Sequence, residues 1–158
     1  MRHRSLILLS HDHHHGLAIA LRCRKQALGQ LKPTGGEGLR VRAREFRDFF
    51  VQNLTNHFRA EEEALFPPLR ALMPDSEPII NQLLREHQEM RLVIPNLEAE
   101  KGLGKVIFDL GDLLERHIRK EERELFPLFE QHADRIDAAA VGEQIKTILE
   151  SAPRLSVV

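Results

Sequence analysis

Apolar positions recur along this chain at alternating intervals of three and four, the period of a helix with one buried face. The clearest stretch places Ile80, Leu83, His87, Met90, Ile94 and Leu97 on one stripe, and the next does the same with Ile107, Leu110, Leu114, His117, Glu121 and Leu128. Further upstream, about Leu39 to Phe66, the stripe is Phe46, Phe50, Leu54, His57, Glu61 and Leu65. In the first stretch, about Ser5 to Leu28, it is Ile7, His11, His14, Ala18 and Leu21. Glycine and proline separate the stretches at Gly29 to Gly38, at Pro67-Pro68, from Met73 to Ser76 and at Gly102 to Gly104. Each stretch is rich in Leu, Arg, Glu, Gln and Ala, which favour helix over strand. Ser76 is placed to cap the third helix, and Pro95 to kink its far end. The pattern predicts an all-α fold, an up-down-up-down antiparallel four-helix bundle over about residues 5–130. An additional C-terminal helix, about Ile136 to Leu149 within a tail of 134–158, is expected outside the bundle. One domain, 1–158, should hold it all.

Composition narrows the function. The chain has 158 residues, with 23 Lys+Arg against 24 Asp+Glu and a formal net charge of -1. That balance supplies no field to draw in nucleic acid or an anionic membrane. The apolar run Leu6 to Leu9 stops at Ser10, too short for a membrane span or a signal-peptide core. A single cysteine, Cys23, forms no internal disulfide, which points to a reducing, cytoplasmic setting. Cys23 reads first as a passive thiol, although Arg22, Arg24 and Lys25 beside it would favour a reactive thiolate. Nine histidines, with neither Trp nor Tyr, make imidazole the chemistry to follow.

Two histidine-glutamate pairs occupy core stripes. HFRAEEEALFPPL (57–69) and HIRKEERELFPLF (117–129) are offset by 60 and agree at seven of thirteen positions, an internal repeat that implies two helical hairpins. Within it His57/Glu61 and His117/Glu121 stand four apart, one turn along the same face. Buried carboxylate and imidazole cost several kcal/mol unless they are paired or bind a cation. Counting from the turns brings His11 level with His57 and His87 level with His117. Four imidazoles and two carboxylates suit two metals, each taking two histidines and sharing both glutamates. Ligands without thiolate favour iron or manganese, with zinc a competitor. A ferritin-like site would need Glu-x-x-His pairs, and no histidine here has a glutamate three residues before it. In the first helix His14 and His15 share a side with His11 and are its alternates, while His13 is expected to point away.

With SHDHHHGL, HFRAEEEALFP, REHQEM and HIRKEERELFP in view, the chain resembles the hemerythrin-like family, the HHE cation-binding domain, from about Leu6 to Phe129. The resemblance implies a four-helix bundle holding a non-heme di-iron centre of two iron ions with an oxo or hydroxo bridge. It implies His11, His57, Glu61, His87, His117 and Glu121 as ligands. Oxygen-carrying members use a His-xxx-His pair in the third helix and His-xxxx-Asp in the fourth. Here Arg91 stands four after His87 and Glu121 four after His117, so the chain is more similar to the branch with iron-sulfur-repair and iron-sensing proteins.

The expected function is binding or sensing of a small diatomic ligand, O2 or NO, or of iron or redox state. The alternatives are a di-iron oxidase, peroxidase or nitric oxide-detoxifying reductase, and an interaction bundle that metal merely stabilises. Glu62, Glu63, Glu122 and Glu124 are expected to be solvated or to orient ligands from behind. Phe50, Phe58, Phe66, Phe126 and Phe129 are expected to pack the core and keep the site dry.

Overall fold

The computed structural model describes residues 1–153, and every regular element among them is helical. The end of the expected tail, 154–158, lies outside the described residues. Helix α1 is Ile7–Ala27. Three α-helical sections, Gly35–Phe49, Thr55–Ala60 and Phe66–Leu72, follow one another through π-type turns at Phe50–Leu54 and Glu61–Leu65, and together form α2. Helix α3 is Glu77–Val93 and tightens into a 3-10 segment, Ile94–Ala99, at Pro95. Helix α4 combines Leu103–Lys120, a π-type turn at Glu121–Leu125, and Phe126–Gln131. Helix α5 is Ala138–Glu150. Gly102 starts α4 in the left-handed region at φ 63°, where a side chain would be strained. Ser76 precedes α3 without capping it, because its hydroxyl donates back to the Met73 carbonyl at 2.7 Å.

The prolines do not end the second helix at Phe66 as the sequence suggested. A proline inside a helix lacks the N–H for its i−4 carbonyl and pushes its ring against that carbonyl. Here the turn just before each proline is widened: the Phe66 N–H bonds the Glu61 carbonyl, and the Phe126 N–H bonds the Glu121 carbonyl. Side chains take carbonyls that the wider turns release. Arg2 Nη2 donates to the Glu122 carbonyl at 2.9 Å and Gln144 Nε2 to the Glu63 carbonyl at 3.4 Å. At Phe50–Leu54 no proline is involved, and Thr55 Oγ1 donates to the bypassed Val51 carbonyl at 2.8 Å. The extra residue also shifts the buried face. Leu125, Phe126 and Phe129 are buried, and Leu128, expected on the stripe, is only half-buried.

Two apolar cores result. One gathers Leu6, Leu9, Leu65, Phe66, Leu69, Ile80, Leu83 and Phe129, the other Ala20, Phe46, Phe50, Phe58, Met90, Ile107 and Leu114. In each of the four long helices a buried histidine or glutamate sits where one core gives way to the other. Helix α5 does not lie outside this arrangement. It packs on α2 and on the segment Arg4–Leu6, and buries Val141, Ile145 and Ile148 in the first core. Each of these would gain roughly 1.5–3 kcal/mol by leaving water, which an isolated tail helix could not do.

The face of α1 is the opposite of the one expected. Ile7, His11, His14, Ala18 and Leu21 are exposed, and Leu6, Leu9, His13, Gly16, Ala20 and Cys23 face inward. Gly16, Ala20 and Cys23 on the inward stripe are small, and there α1 lies close along α4. A Cβ on Gly111 of α4 would come within 2.8 Å of the Ala20 carbonyl oxygen, and one on Gly16 within 2.8 Å of Ile118 Cδ1. Close backbone contact, rather than side-chain bulk, selects the face.

Candidate metal centre

His57 and Glu61 come from α2, His117 and Glu121 from α4, His87 from α3 and His13 from α1. The two glutamates begin the proline-driven π-type turns, and both are completely buried. Their carboxylates sit among four imidazoles. His57 Nε2 lies 3.4 Å from Glu61 Oε2 and His87 Nε2 lies 3.1 Å from Glu61 Oε1. Both His13 Nε2, at 3.1 Å, and His117 Nε2, at 3.2 Å, face Glu121 Oε1. Two donor groups follow: His13, His57, Glu61 and Glu121, and Glu61, His87, His117 and Glu121. In each group the ligand atoms lie within 4.8 Å of one another, and both glutamates belong to both groups.

His11 is not part of this cluster. It is exposed, as are its alternates His14 and His15, whereas His13 is 4% exposed with its ring stacked against Phe126. Two residues of a helix differ by only about 3 Å in depth but by about 200° around the axis, so a depth count did not separate His11 from His13. A signal was available. The acid-histidine dipeptide Asp12-His13 in α1 parallels Glu86-His87 in α3, just as the His-x-x-x-Glu-Glu motifs of α2 and α4 parallel each other.

A second carboxylate backs each imidazole. Nδ1 of His13 donates to Glu122 at 2.7 Å, that of His57 to Asp12 at 3.0 Å, that of His87 to Glu62 at 2.7 Å and that of His117 to Glu86 at 2.8 Å. Asp12 and Glu86 serve the histidine of their own hairpin, Glu62 and Glu122 one of the other. Arg91 grips Glu62 with two bonds of 2.8 and 2.9 Å and lies over Phe58, which stacks on His87 at 3.9 Å. Arg2 holds Glu122 and Glu130 and lies over Phe126. Glu62 and Glu122 are therefore outer partners, while Glu63 and Glu124 are about half exposed.

Electrostatics shows what the cluster lacks. A carboxylate only accepts hydrogen bonds, so each outer acid fixes the proton of its imidazole on Nδ1 and turns the Nε2 lone pair inward. A neutral imidazole then sets its lone pair against a carboxylate oxygen at 3.1 to 3.4 Å, an arrangement that is repulsive without a cation or a proton between them. Both oxygens of Glu61, Glu121 Oε2, His87 Nε2 and His117 Nε2 are buried without a hydrogen-bond partner. Such groups cost about 1–3 kcal/mol apiece. Protons satisfy the cluster only unevenly. Burial works against a charged His57, but Glu61 and Asp12 outweigh it and raise its pKa to about 10. At His117 burial dominates and lowers the pKa to about 4, and burial also lowers that of His13. Burial would raise the Glu61 pKa, but His57 and His87 hold it well below the ordinary range. A donor set of neutral imidazoles and carboxylates, with no thiolate, suits a divalent cation of borderline hardness.

The comparisons with known proteins agree with this chemistry. The family model described as the Hemerythrin HHE cation binding domain matches residues 5–129, which takes in all six clustered side chains and stops short of α5. No curated protein and no solved structure matches the chain significantly.

Proposed function

Since the chain belongs to the hemerythrin HHE cation-binding domain family, we propose that it is a non-heme di-iron protein that binds or senses O2 or NO, or reports iron or redox state. The observation that carries this reading is the pair of donor groups joined by Glu61 and Glu121, with inward-facing polar atoms that nothing in the protein satisfies. His13 and His57 would hold one ion and His87 and His117 the other, with both glutamates shared. His13 takes the place first given to His11. When bound, two ferrous ions would supply coordination positions not filled by protein and electrons for a diatomic ligand.

The remaining roles belong to the protein. Six carboxylates, Glu61, Glu121 and the four outer acids, would be balanced by two divalent cations together with Arg2 and Arg91. The outer acids hold the imidazoles in one tautomer and one orientation. Phe58, Phe66 and Phe126 stack on the rings and exclude water, so that a small apolar molecule is favoured over a hydrated one. An up-down-up-down antiparallel bundle is the arrangement we infer for α1 to α4, supported by their short connections and by α1 lying along α4. Among the described residues no helix is long and apolar enough to cross a membrane. A reducing cytoplasm suits both ferrous iron and the buried free thiol of Cys23.

The test is anaerobic loading of the untagged protein with Fe(II), with metal content and optical spectrum recorded before oxygen, after it and after evacuation. Two irons per chain and a new band that evacuation reverses are expected. Sustained oxygen uptake with a reductant would instead make the protein an oxidase, and absence of iron would sink the di-iron reading.

A further inference from the structure

We propose that His11 and His15, with His14 beside them, form a second, surface chelate for a divalent transition-metal ion, which captures the ion and hands it to the buried centre. The delivery step rests on the centre proposed above; the chelate does not.

All three histidines are exposed on α1, with His11 and His15 about 200° around the helix from His13. His11 and His15 are one turn apart, with Cβ atoms about 5–6 Å from each other, a spacing at which two imidazoles close on one cation. His14 flanks His11 at the three-residue spacing and can add a third nitrogen. Imidazole donors of this kind take Fe(II), Ni(II), Cu(II) and Zn(II), in rising affinity towards copper. The core does not require histidine here: these side chains are outside the packing that sets the face of α1.

Position gives the chelate its role. The clustered imidazoles and glutamates are at most 4% exposed, so an ion must shed its water to reach them. Beside His11 a cleft of about 240 Å3 is walled by Leu8 and Leu149 and by Asp12, Gln52, Asn53 and Glu150, whose side-chain oxygens can replace water as it leaves. Asp12 opens onto that cleft with an 18% exposed side chain, and its Oδ2 is 3.0 Å from His57 Nδ1. Asp12 thus touches both the cleft beside His11 and the outer nitrogen of His57.

Two measurements test this on the full chain and on the His11→Ala/His15→Ala variant. Both replacements are on an exposed helical face where alanine supports the helix. In equilibrium dialysis with Ni(II), the variant should lose one bound ion per chain relative to the wild type. In anaerobic Fe(II) uptake, quenched with chelator at intervals, the variant should load several-fold more slowly to the same final content. Equal Ni(II) content overturns the chelate. Equal uptake rates in a variant that has lost its Ni(II) overturn the delivery role. If neither chain retains iron while the Ni(II) difference persists, the chelate stands and the buried di-iron reading fails.

Discussion

Replacing His13 separates the two readings of α1. Its ring supplies one of two imidazoles to the group with His57, 3.1 Å from Glu121 and 2.7 Å from Glu122. Metal bound only to the folded state at a hundredfold excess over Kd adds about 2.7 kcal/mol to stability. For a chain of this size each kcal/mol moves Tm by about 2–4 °C, so loading should raise the wild-type Tm by roughly 5–10 °C. Loss of even an outer partner typically weakens a metal site about 10–100-fold. Loss of the ligand itself should do at least that, leaving His13→Ala with roughly 0.4–1.4 kcal/mol of metal stabilisation at the same free concentration. The assay is thermal unfolding with and without metal, the free metal concentration being held equal for every variant. Each variant is compared with its own metal-free form, so the packing cost of removing the ring cancels. His13→Ala should keep little of the rise, whereas His11→Ala should keep nearly all of it. Full retention by His13→Ala, together with loss in His11→Ala, would refute the placement of α1 and the ligand set built on it.

Further outcomes follow from the same geometry. Glu62→Gln leaves Arg91 without its charged partner and His87 without its orienting acid, and should weaken metal binding about 10–100-fold in a chelator competition while the helical circular dichroism signal is unchanged. Gly111→Val puts a side chain where a Cβ already meets the Ala20 carbonyl at 2.8 Å, and should cost about 1–3 kcal/mol in denaturant unfolding by prising α1 from α4. Burial raises the Cys23 pKa from 9.0 to about 12 against the pull of its basic neighbours, so native protein at pH 8 should resist iodoacetamide and react promptly once unfolded. Because the folded thiol holds its proton more tightly than the unfolded one, Cys23 contributes stability that is fully present below about pH 9 and is lost as pH rises towards 12, a decline that Cys23→Ala should lessen in alkaline unfolding curves.

Local pattern determined much of this protein. Three-four spacing made every regular element a helix, and it set the buried faces of α2 and α3, since bulky residues such as Phe46, Leu54, Leu83 and Met90 fall on one side only. It also exposed His57, Glu61, His87, His117 and Glu121, because an ionisable residue on such a stripe stands out against its apolar neighbours. Helix α1 carries apolar residues on both sides, so its pattern is nearly symmetric. Its choice between His11 and His13 was made by Gly111 of α4, a residue about 100 positions away whose missing side chain lets Ala20 and Cys23 approach. The π-type turns likewise depend on distant groups, Arg2 and Gln144, to accept the cost of prolines within a helix. The burial of α5 depends on surface offered by α2 and the N-terminal segment. A sequence pattern reports which side of a helix prefers to leave water; only the assembled tertiary structure decides, among sides of similar preference, which one another backbone can reach.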